Sequence, residues 1–583
     1  MRSSSLVLLL CMLNVSGQAQ ATRSGNGMVV SDNRLASEVG VQILRDGGNA
    51  VDGAIATAFA LAVTHPQAGN IGGGGFLVLM DSAGNATTID FRETAPLAAS
   101  EDMFLDAEGN LERTTGPFGN STTANHAGIK SVGVPGSVAG LYLAHQKYGS
   151  LSWERLVQPA IDLAEDGFAL TPTLASHADR FEAHAEITFL EEFFNTEEGV
   201  PAKAGEVWCQ PELAKTLEEI RDHGHDGFYS GRVARKIARY MRKEGGLITR
   251  EDLESYRAVE RKPVSGSFGG YQVWSMAPPS SGGVTLIEML NMITVAGTTH
   301  GGAMTETDSC SLEDGLPAYN SAYHVHLLAE VMRRGYADRA FFLGDPDFYL
   351  EMPVIEMISV DHAAELMATF DPCKASVSDS SEFNQLHDGA NTTHLSVADR
   401  FGNAVSLTTT LEHSYGSGLG VPGLGFLLNN EMGDFNPVPG VTNSAGLIGT
   451  PPNRIEPGKR MLSSMTPTIV SKDGVPVIVI GSPGGRTIIN TVFQSVLNML
   501  AYEMPVDQAI EAVKIHHQWL PDRILYEEEL LSPMIVVALE DMGHTIVPVE
   551  NLGRLMGISI DPETGMMTGY SDSSSPDGAA VGY

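Results

Sequence analysis

The sequence predicts a mixed fold of α-helices and β-strands, because two regions of the chain have different periodicities. Up to about residue 342 many apolar residues recur at helical spacing, whereas from residue 392 short alternating runs are joined by turns. The chain has 583 residues, of which 43% are hydrophobic, so it can bury a large core. This composition is typical of a globular protein.

Apolar spacing predicts most of the helices. Leu35, Val39 and Ile43 recur at every fourth position and therefore lie on one face of a helix. Residues 51–63 are apolar nearly all round, which predicts a buried helix. Further helices are predicted over 137–148, 152–166, 211–222, 232–243, 249–256, 280–293, 319–342 and 486–500.

Turn residues separate the predicted strands. Residues 392–398 and 404–410 are strands joined by Asp399–Asn403, a hairpin signature that brings Thr410 back toward Thr392. The other predicted strands are 76–80, 87–91, 262–276, 468–470 and 475–480.

Two glycine-rich stretches occur in different contexts. Gly72–Gly75 precedes a strand, whereas the glycines of a phosphate-binding loop lie between a strand and a helix, so close backbone packing is favoured there. Gly481–Gly485 does lie between a strand and a helix, where backbone N–H groups can bind an anion. This second stretch is therefore either an oxyanion-binding loop or a simple strand–helix turn.

The net charge and the N-terminal residues indicate the class and location of the protein. A formal net charge of −35 argues against nucleic acid as a partner, since phosphates would be repelled. Residues 1–21 have the features of a cleavable export signal, with Arg2, an apolar run over Leu6–Leu13 and small residues at Ala19–Ala21. That run is too short to span a bilayer, and no later stretch has about 20 unbroken apolar residues. We expect a periplasmic or secreted protein without a stable membrane span; a retained anchor is the alternative.

The cysteines form neither a disulfide framework nor a recognisable metal motif. Cys11 lies in the signal, which leaves Cys209, Cys310 and Cys373 in the mature chain. One bridge is possible, and the sequence does not decide whether Cys310 and Cys373 pair. Neither HExxH nor CxxC occurs, so the sequence predicts no metal site and no cofactor.

The stretch Asn391–Val397 carries a candidate nucleophile. A threonine hydroxyl reacts poorly unless a base removes its proton. Cleavage before Thr392 would give this residue a free α-amine, with a pKa of about 7.7–8.0, that can act as the base for its own hydroxyl. The alternative is an ordinary threonine-rich strand. A flexible polar segment over 376–389 suits a chain end that moves away after cleavage.

Five stretches together resemble the gamma-glutamyltranspeptidase family of N-terminal-nucleophile hydrolases. They are Phe91–Glu93, Asn391–Val397, Leu427–Phe435, Leu462–Met465 and Gly481–Gly485. Each is short, but all five occur in the right order over nearly the whole mature chain. The resemblance implies an α+β fold, a four-layer αββα sandwich. It also implies a precursor that cuts itself between Asn391 and Thr392 into a large subunit, 22–391, and a small subunit, 392–583, which stay together as a heterodimer.

The resemblance assigns the catalytic roles. Thr392 is the nucleophile and its new amine the base, while Thr410 orients the hydroxyl. Gly484 and Gly485 donate backbone N–H groups to the oxyanion. No metal takes part.

The resemblance also assigns the residues that bind the substrate's amino-acid head group. Arg92, which alone is either an ion-pair residue at a strand end or a fork for a carboxylate, binds the α-carboxylate together with Ser463 and Ser464. Glu431 and Asp434 bind the α-ammonium. Two neighbouring carboxylates repel each other until a cation lies between them. This pair therefore favours a substrate that carries an amine. Replacing Arg92 by alanine is expected to weaken substrate binding and to leave the self-cleavage intact.

Two positions depart from the family pattern. Glu412 stands where an asparagine commonly contacts the head group, so a third carboxylate adds to ammonium binding or disturbs carboxylate binding. Ala445 stands roughly where some members have an aromatic residue over the bound glutamyl group, so water is expected to compete well with an amine acceptor. His394 and the pair His516-His517 are expected to be structural, since the mechanism needs no further base.

Three hypotheses about function follow. The favoured one is an exported enzyme that opens γ-glutamyl amides such as glutathione and passes the glutamyl group to water, an amino acid or a dipeptide. The second is an acylase for glutaryl-type side chains or a depolymerase of poly-γ-glutamate on the same fold; Glu431 and Asp434 argue against a substrate that lacks the amine. The third is a non-catalytic exported binding protein, which would not cleave itself.

Overall fold

The computed structural model of the protein describes residues 21–117, 119–182, 193–196, 199–299, 316–378, 392–442, 448–528 and 530–583. The predictions for the signal segment 1–20, Cys310, Asn391 and Ala445 lie outside the described residues. Within this part of the chain, the helices are all too short or too polar to cross a membrane.

The described strands number 21 in chain order. They are β1 Thr22–Ser24, β2 Gly27–Ser31, β3 Gly74–Met80, β4 Ala86–Phe91, β5 Arg113–Thr115, β6 Ser121–Thr123, β7 Phe168–Ala169, β8 Val207–Trp208, β9 Val259–Arg261, β10 Val264–Phe268, β11 Tyr271–Ser275, β12 Thr392–Asp399, β13 Ala404–Thr410, β14 Thr468–Lys472, β15 Val475–Gly481, β16 Ile515–His516, β17 Ile524–Glu527, β18 Ile546–Val549, β19 Met556–Ile560, β20 Met567–Ser571 and β21 Ala579–Gly582.

The described α-helices are named in the same way. They are α1 Arg34–Arg45, α2 Ala50–Thr64, α3 Ser137–Tyr148, α4 Trp153–Asp166, α5 Pro172–Glu182, α6 Pro211–His223, α7 His225–Tyr229, α8 Gly231–Glu244, α9 Arg250–Ser255, α10 Gly282–Thr299, α11 Ala322–Phe342, α12 Val354–Met357, α13 Val360–Met367, α14 Thr487–Ala501, α15 Val506–Glu511 and α16 Pro533–Asp541.

Two seven-stranded antiparallel sheets form the centre of the molecule. Sheet I has the order β21-β2-β12-β13-β3-β4-β9, and sheet II the order β1-β20-β19-β15-β14-β11-β10. The sheets face each other through contacts of β12 and β13 with β15 and of β2 with β20. Helices α1 and α2 cover the outer face of sheet I, and α10 and α15 contact sheet II. This is the four-layer αββα sandwich that the family resemblance implies, and that prediction is confirmed.

Local sequence explains why helix α2 covers sheet I. The Asn49 side chain accepts hydrogen bonds from the backbone N–H groups of Val51 and Asp52, and the Asp52 carboxylate bonds back to the Asn49 N–H. This capping box satisfies the first turn of the helix. Every residue of α2 is buried, as the apolar composition of 51–63 predicted.

Both sheets mix strands from the two sides of residue 391. In sheet I the hairpin β12–β13 lies between β2 and β3, with Thr392 opposite Thr410 in the register. Sheet II likewise places β11 against β14 and β1 against β20. The predicted hairpin is therefore correct, and its neighbours come from more than 300 residues away in sequence.

The predicted strand 262–276 is a hairpin rather than one strand. Gly269 and Gly270, both with positive φ, form the turn between β10 and β11. Only glycine adopts such angles without strain, and two adjacent glycines therefore reverse the chain. Among the strands of the two sheets, β1, β2, β9, β19, β20 and β21 were not predicted.

His394 lies between the two sheets. Its Nδ1 contacts Thr408 Oγ1 at 2.8 Å and its Nε2 contacts Ser396 Oγ at 3.0 Å. Burial lowers the pKa of His394 to about 3, so the ring is neutral. This geometry agrees with a structural role. The position of the His394 ring also requires a glycine at 481, because a Cβ at that residue would clash with the ring.

We predict that Gly481→Ala lowers the free energy of unfolding by about 1–3 kcal/mol, because overpacking forces the sheets or the ring to shift. The measurement is the urea midpoint by circular dichroism. The matched control is Gly25→Ala, where an added Cβ meets nothing within 4 Å. A Gly481→Ala protein as stable as the control would contradict the packing described for His394.

Candidate functional site

A pocket of about 970 Å³ opens at the edge of the two sheets. All ten predicted site residues that the structure describes line it. They are Arg92, Thr392, Thr410, Glu412, Glu431, Asp434, Ser463, Ser464, Gly484 and Gly485. The eleventh, Asn391, lies outside the described residues. Residues from both sides of 391 therefore converge on one cavity.

Thr392 is the first residue of β12 and is almost fully buried, with 4% of its surface exposed. Its hydroxyl donates to Thr410 Oγ1 at 3.3 Å, across the pair of strands. Thr410 Oγ1 also accepts a hydrogen bond of 2.8 Å from the backbone N–H of Glu412. Because that N–H fixes the Thr410 hydroxyl, the position of Thr392 Oγ is fixed in turn.

Gly484 and Gly485 join β15 to helix α14. Their φ angles are +134° and +58°, and a Cβ on Gly484 would lie 2.6 Å from Thr487 Oγ1. The Gly484 carbonyl accepts a hydrogen bond of 2.8 Å from that hydroxyl. The loop therefore needs glycine, and it brings the N-terminal end of a 15-residue helix to the pocket, where an anion is stabilised.

Arg92 is a buried cation between two carboxylates. It follows β4, is fully buried, and donates from Nη1 to Glu431 and from Nη2 to Asp434. Its Nε donates to the carbonyl of Met461 at 3.3 Å. Glu93 is also fully buried, with a carboxylate oxygen 3.5 Å from Arg92 Nη1.

This arrangement changes the interpretation of the carboxylate pair. Glu431 and Asp434 were expected to lack a cation until a substrate amine arrives, but Arg92 already lies between them. The pair alone is therefore no argument for an amine-bearing substrate. Three carboxylates, however, surround one guanidinium, so the local charge remains acidic.

Burial shows its effect on the carboxyl groups. Desolvation raises the pKa of Glu431 well above its usual value, although the charge of Arg92 opposes this shift. The neighbouring carboxylates of Glu93, Asp434 and Glu412 raise the pKa of Glu431 further. Desolvation likewise raises the pKa of Glu93 to about 7. Burial therefore disfavours the ionised forms of these two carboxyl groups, and the charge of Arg92 favours them.

A second guanidinium in the pocket was not predicted from the sequence. Arg339 of α11 donates from Nη2 to Ser464 Oγ at 2.9 Å and from Nε to Ser281 Oγ at 2.8 Å. The Ser281 hydroxyl donates in turn to the carbonyl of Ser463. Arg339 thus holds the two serines predicted to bind a carboxylate. Nothing in its helical segment distinguishes it from other surface arginines.

Glu412 has two histidines beside its carboxylate. Its Oε1 lies 3.1 Å from His126 Nδ1 and 3.3 Å from His413 Nε2. Glu412 has a φ of +77°, a conformation that a non-glycine residue adopts only at a cost. His126 was not predicted, because it lies 286 residues from Glu412 in the sequence.

His516 and His517 are each held by neighbouring polar groups. His516 lines the pocket, and its two ring nitrogens contact Asn490 Nδ2 and Gln518 Oε1, each at 2.8 Å. His517 is fully buried, which lowers its pKa, and its Nε2 lies 3.2 Å from Asp522. Neither contact is with Thr392, in agreement with the structural role expected for both.

Comparison with known proteins gives concordant results. The family model described as Gamma-glutamyltranspeptidase matches residues 36–582. The glutathione hydrolase proenzyme of Escherichia coli (strain K12) is 42% identical over 568 residues, 96% of this chain and 92% of the relative. Cephalosporin acylase from Bacillus halodurans superposes with a TM-score of 0.80 at 25% identity, covering 99% of each chain. Helicobacter pylori gamma-glutamyltranspeptidase is 39% identical, with a TM-score of 0.52, over 61% of this chain and 96% of that chain.

We predict that Arg92→Ala lowers the free energy of unfolding by about 3–5 kcal/mol, because it leaves buried carboxylates without their cation. This effect adds to the weaker substrate binding expected from the sequence. The loss of stability caused by Arg92→Ala should be larger at pH 8 than at pH 5. Arg92 lowers the pKa of Glu431, so its removal raises that pKa further. A carboxyl group whose pKa is raised in the folded state stabilises the fold at low pH, and this contribution is lost as the pH rises.

The measurement is the urea midpoint at both pH values. Arg34→Ala is the control, since the Arg34 side chain is exposed and forms a 3.7 Å surface pair with Glu38. This control should change stability by about 0–1 kcal/mol. Equal effects of the two substitutions would contradict the role of Arg92 as a buried counter-ion.

Proposed function

The chain belongs to the gamma-glutamyltranspeptidase family, and from this premise we propose that it is a self-processing enzyme that cleaves γ-glutamyl amide bonds. The observation that carries the proposal is Thr392, which begins β12, contacts Thr410 and lines the same pocket as the glycine loop and Arg92. A hydroxyl nucleophile, an anion-binding loop and a recognition site for charged groups are thereby combined. An acyl transfer reaction needs these three parts.

Maturation is the first reaction of Thr392. Its Oγ attacks the carbonyl carbon of Asn391, the hydroxyl proton passes to the peptide nitrogen, and the peptide becomes an ester. The C–N bond breaks as the ester forms, which frees the α-amine of Thr392. Water then hydrolyses the ester to give a carboxylate on Asn391 and to restore the Thr392 hydroxyl. The large subunit comprises 22–391 and the small subunit 392–583.

Two observations support this division of the chain. Sheet I interleaves β12 and β13 with strands of the first segment, so the cut subunits remain paired as a heterodimer through backbone hydrogen bonds. The Helicobacter pylori chain matches 61% of this chain while 96% of its own length is covered, a share close to that of residues 22–391.

The mature enzyme then uses Thr392 as nucleophile and base. The α-amine accepts the hydroxyl proton, Oγ attacks the γ-carbonyl carbon of the substrate, and the N–H groups of Gly484 and Gly485 stabilise the oxyanion. The proton passes to the leaving amine as the amide bond breaks. Water or an acceptor amine from an amino acid or dipeptide attacks the glutamyl ester and restores the free hydroxyl.

The head group of the substrate is a zwitterion, and the pocket offers partners for both charges. Arg92 with Ser463 and Ser464 binds the α-carboxylate, and Arg339 holds the Ser464 hydroxyl in place. Asp434, whose side chain is 37% exposed, and Glu431 bind the α-ammonium. A substrate that binds in this way exchanges contacts with the Arg92 network rather than filling a vacant site.

Glutathione is the substrate we propose first, since the relatives named above include a glutathione hydrolase proenzyme. The signal-like features of residues 1–21, with Arg2, the apolar run Leu6–Leu13 and the small residues at Ala19–Ala21, support export to a periplasm or medium. The reaction as proposed uses no metal or cofactor.

A second candidate function is that of an acylase, which removes glutaryl-type acyl groups from their amides. The likeness to the Bacillus halodurans cephalosporin acylase over 99% of both chains favours it. The two candidates differ in one chemical feature, the α-amine of the acyl group. Asp434 therefore distinguishes them, because only a γ-glutamyl substrate offers a cation to its carboxylate.

We predict that Thr392→Ala abolishes maturation and lowers activity at least about a thousandfold, because one hydroxyl serves both steps. Intact-mass spectrometry should give one uncut chain for this variant and two chains for the wild type, the smaller one beginning at Thr392. Thr392→Ser is the matched control. It keeps a hydroxyl and should still cleave and turn over, at a reduced rate. Two subunits recovered from Thr392→Ala would refute the assignment.

We predict that Asp434→Asn raises the KM for a γ-glutamyl anilide roughly tenfold to a hundredfold, the equivalent of about 1.5–3 kcal/mol for a charge-assisted hydrogen bond. The KM for the matching glutaryl anilide should change less than about threefold. Steady-state kinetics on the cleaved enzyme measure both. Equal changes of KM for the two substrates would show that Asp434 does not bind the α-amine of the substrate.

A further inference from the structure

We propose that His126, Glu412 and His413 form a binding site for a divalent transition-metal ion of the zinc class, and that the bound ion inhibits the enzyme. The three side chains come from two distant parts of the chain and meet inside the pocket beside Thr392. One ligand atom from each lies within 4.8 Å of the other two. The inhibition depends on the proposed function, whereas the binding does not.

The donor set and its spacing fit zinc. Two imidazoles and one carboxylate are the protein ligands of many zinc sites that keep one position open. Ligands at about 2.0–2.2 Å from a tetrahedral zinc lie roughly 3.3–3.5 Å from one another. Glu412 Oε1 already lies at 3.1 Å from His126 Nδ1 and at 3.3 Å from His413 Nε2.

The two histidines lie with their rings side by side next to the Glu412 carboxylate. Their rings are stacked with centroids 5.0 Å apart and an interplanar angle of 25°, so both rings present nitrogen atoms toward the same carboxylate. Their side chains are 17% and 21% exposed, on the pocket side, so an ion from solution can reach them.

A buried asparagine holds all three residues in place. Asn430 Nδ2 donates to the His126 carbonyl at 2.8 Å and to the Glu412 carboxylate, and Asn430 Oδ1 accepts from the His413 backbone N–H at 3.1 Å. Asn430 is fully buried. Hydrogen bonds of this kind around metal ligands fix the ligands and strengthen binding.

Gly433 provides the space for His126. A Cβ at residue 433 would clash with His126 Nδ1, whereas the φ of Gly433 is accessible to any residue. The position of the His126 ring therefore requires glycine here, and the backbone conformation does not. A Gly433→Ala substitution can thus displace the His126 ring while leaving the histidine itself unchanged.

Two other clusters of potential metal ligands occur among the described residues, but charged partners already occupy their ligand atoms. His326, Glu330 and His544 are buried, and Glu330 already receives hydrogen bonds from Arg333 and Arg334, which repel a cation.

The second of these clusters, Glu288, Asp338 and His362, offers one imidazole. The carboxylates share its Nε2, and the hydrogen bond with Glu288 raises the pKa of His362 to about 9. A proton therefore holds the place between those groups that an ion would need.

Inhibition follows from the position of Glu412. Its backbone N–H donates to Thr410 Oγ1, which in turn contacts Thr392 Oγ1. An ion held by the Glu412 carboxylate would lie in the pocket next to the nucleophile and the head-group site. It would also neutralise one of the carboxylates that surround the substrate amine.

The test is isothermal titration calorimetry of the full chain with zinc chloride, together with the visible absorption of cobalt(II) bound in its place. We expect the wild type to bind one more ion than His126→Ala, and its cobalt complex to show the intense bands of tetrahedral coordination. His413→Ala should likewise lose this ion, and Gly433→Ala should weaken it at least about tenfold. Zinc should inhibit γ-glutamyl hydrolysis by the wild type, and any activity of His126→Ala should be insensitive to it.

His223→Ala is the matched control. His223 is an exposed histidine that lies 4.0 Å from the carboxylate of Glu219, and its loss should change neither the binding nor the inhibition. Equal zinc binding by wild type, His126→Ala and His413→Ala, or the same loss in His223→Ala, would overturn the site. Zinc that binds at the site without changing turnover would overturn the inhibition. The same calorimetry on Thr392→Ala keeps the binding result independent of whether the chain is an enzyme.

Discussion

The contact of Arg92 with Glu431 and Asp434 is the interaction on which the pocket depends. A fully buried guanidinium is stable only if carboxylates compensate it, and these come from a 3₁₀ turn over Glu431–Asp434. The same contact joins the end of β4, in the first segment of the chain, to the second segment. This part of the pocket therefore forms only when the two segments are folded together.

The hairpin β12–β13 also joins the two segments of the chain, here through backbone hydrogen bonds. Its outer edges pair with β2 and β3, so a chain break before Thr392 leaves every ladder of sheet I in place. The proposed cleavage would therefore create a new amine at a residue whose hydroxyl already contacts Thr410. A nucleophile whose surroundings exist before it is activated loses little conformational entropy when it begins to work.

Local pattern was enough to predict the hairpin, the buried helix α2 and the glycine loop, because each depends on residues close in sequence. The family resemblance supplied the layers and the positions of the site residues. The pairing of Arg92 with Glu431, the contact of Arg339 with Ser464 and the meeting of His126 with Glu412 were not predictable in this way. Each joins residues more than 100 positions apart, and their side chains meet only because the sheets bring them together.

Glu412 connects these parts. Its backbone N–H fixes Thr410, its carboxylate contacts two histidines, and its charge raises the pKa of Glu431. The residue has a left-handed φ that costs energy, and hydrogen bonds on both its backbone and its side chain hold it there. The proposed substrate amine and the proposed metal ion would both bind near this carboxylate, and the backbone of the same residue contacts the Thr410 hydroxyl beside Thr392.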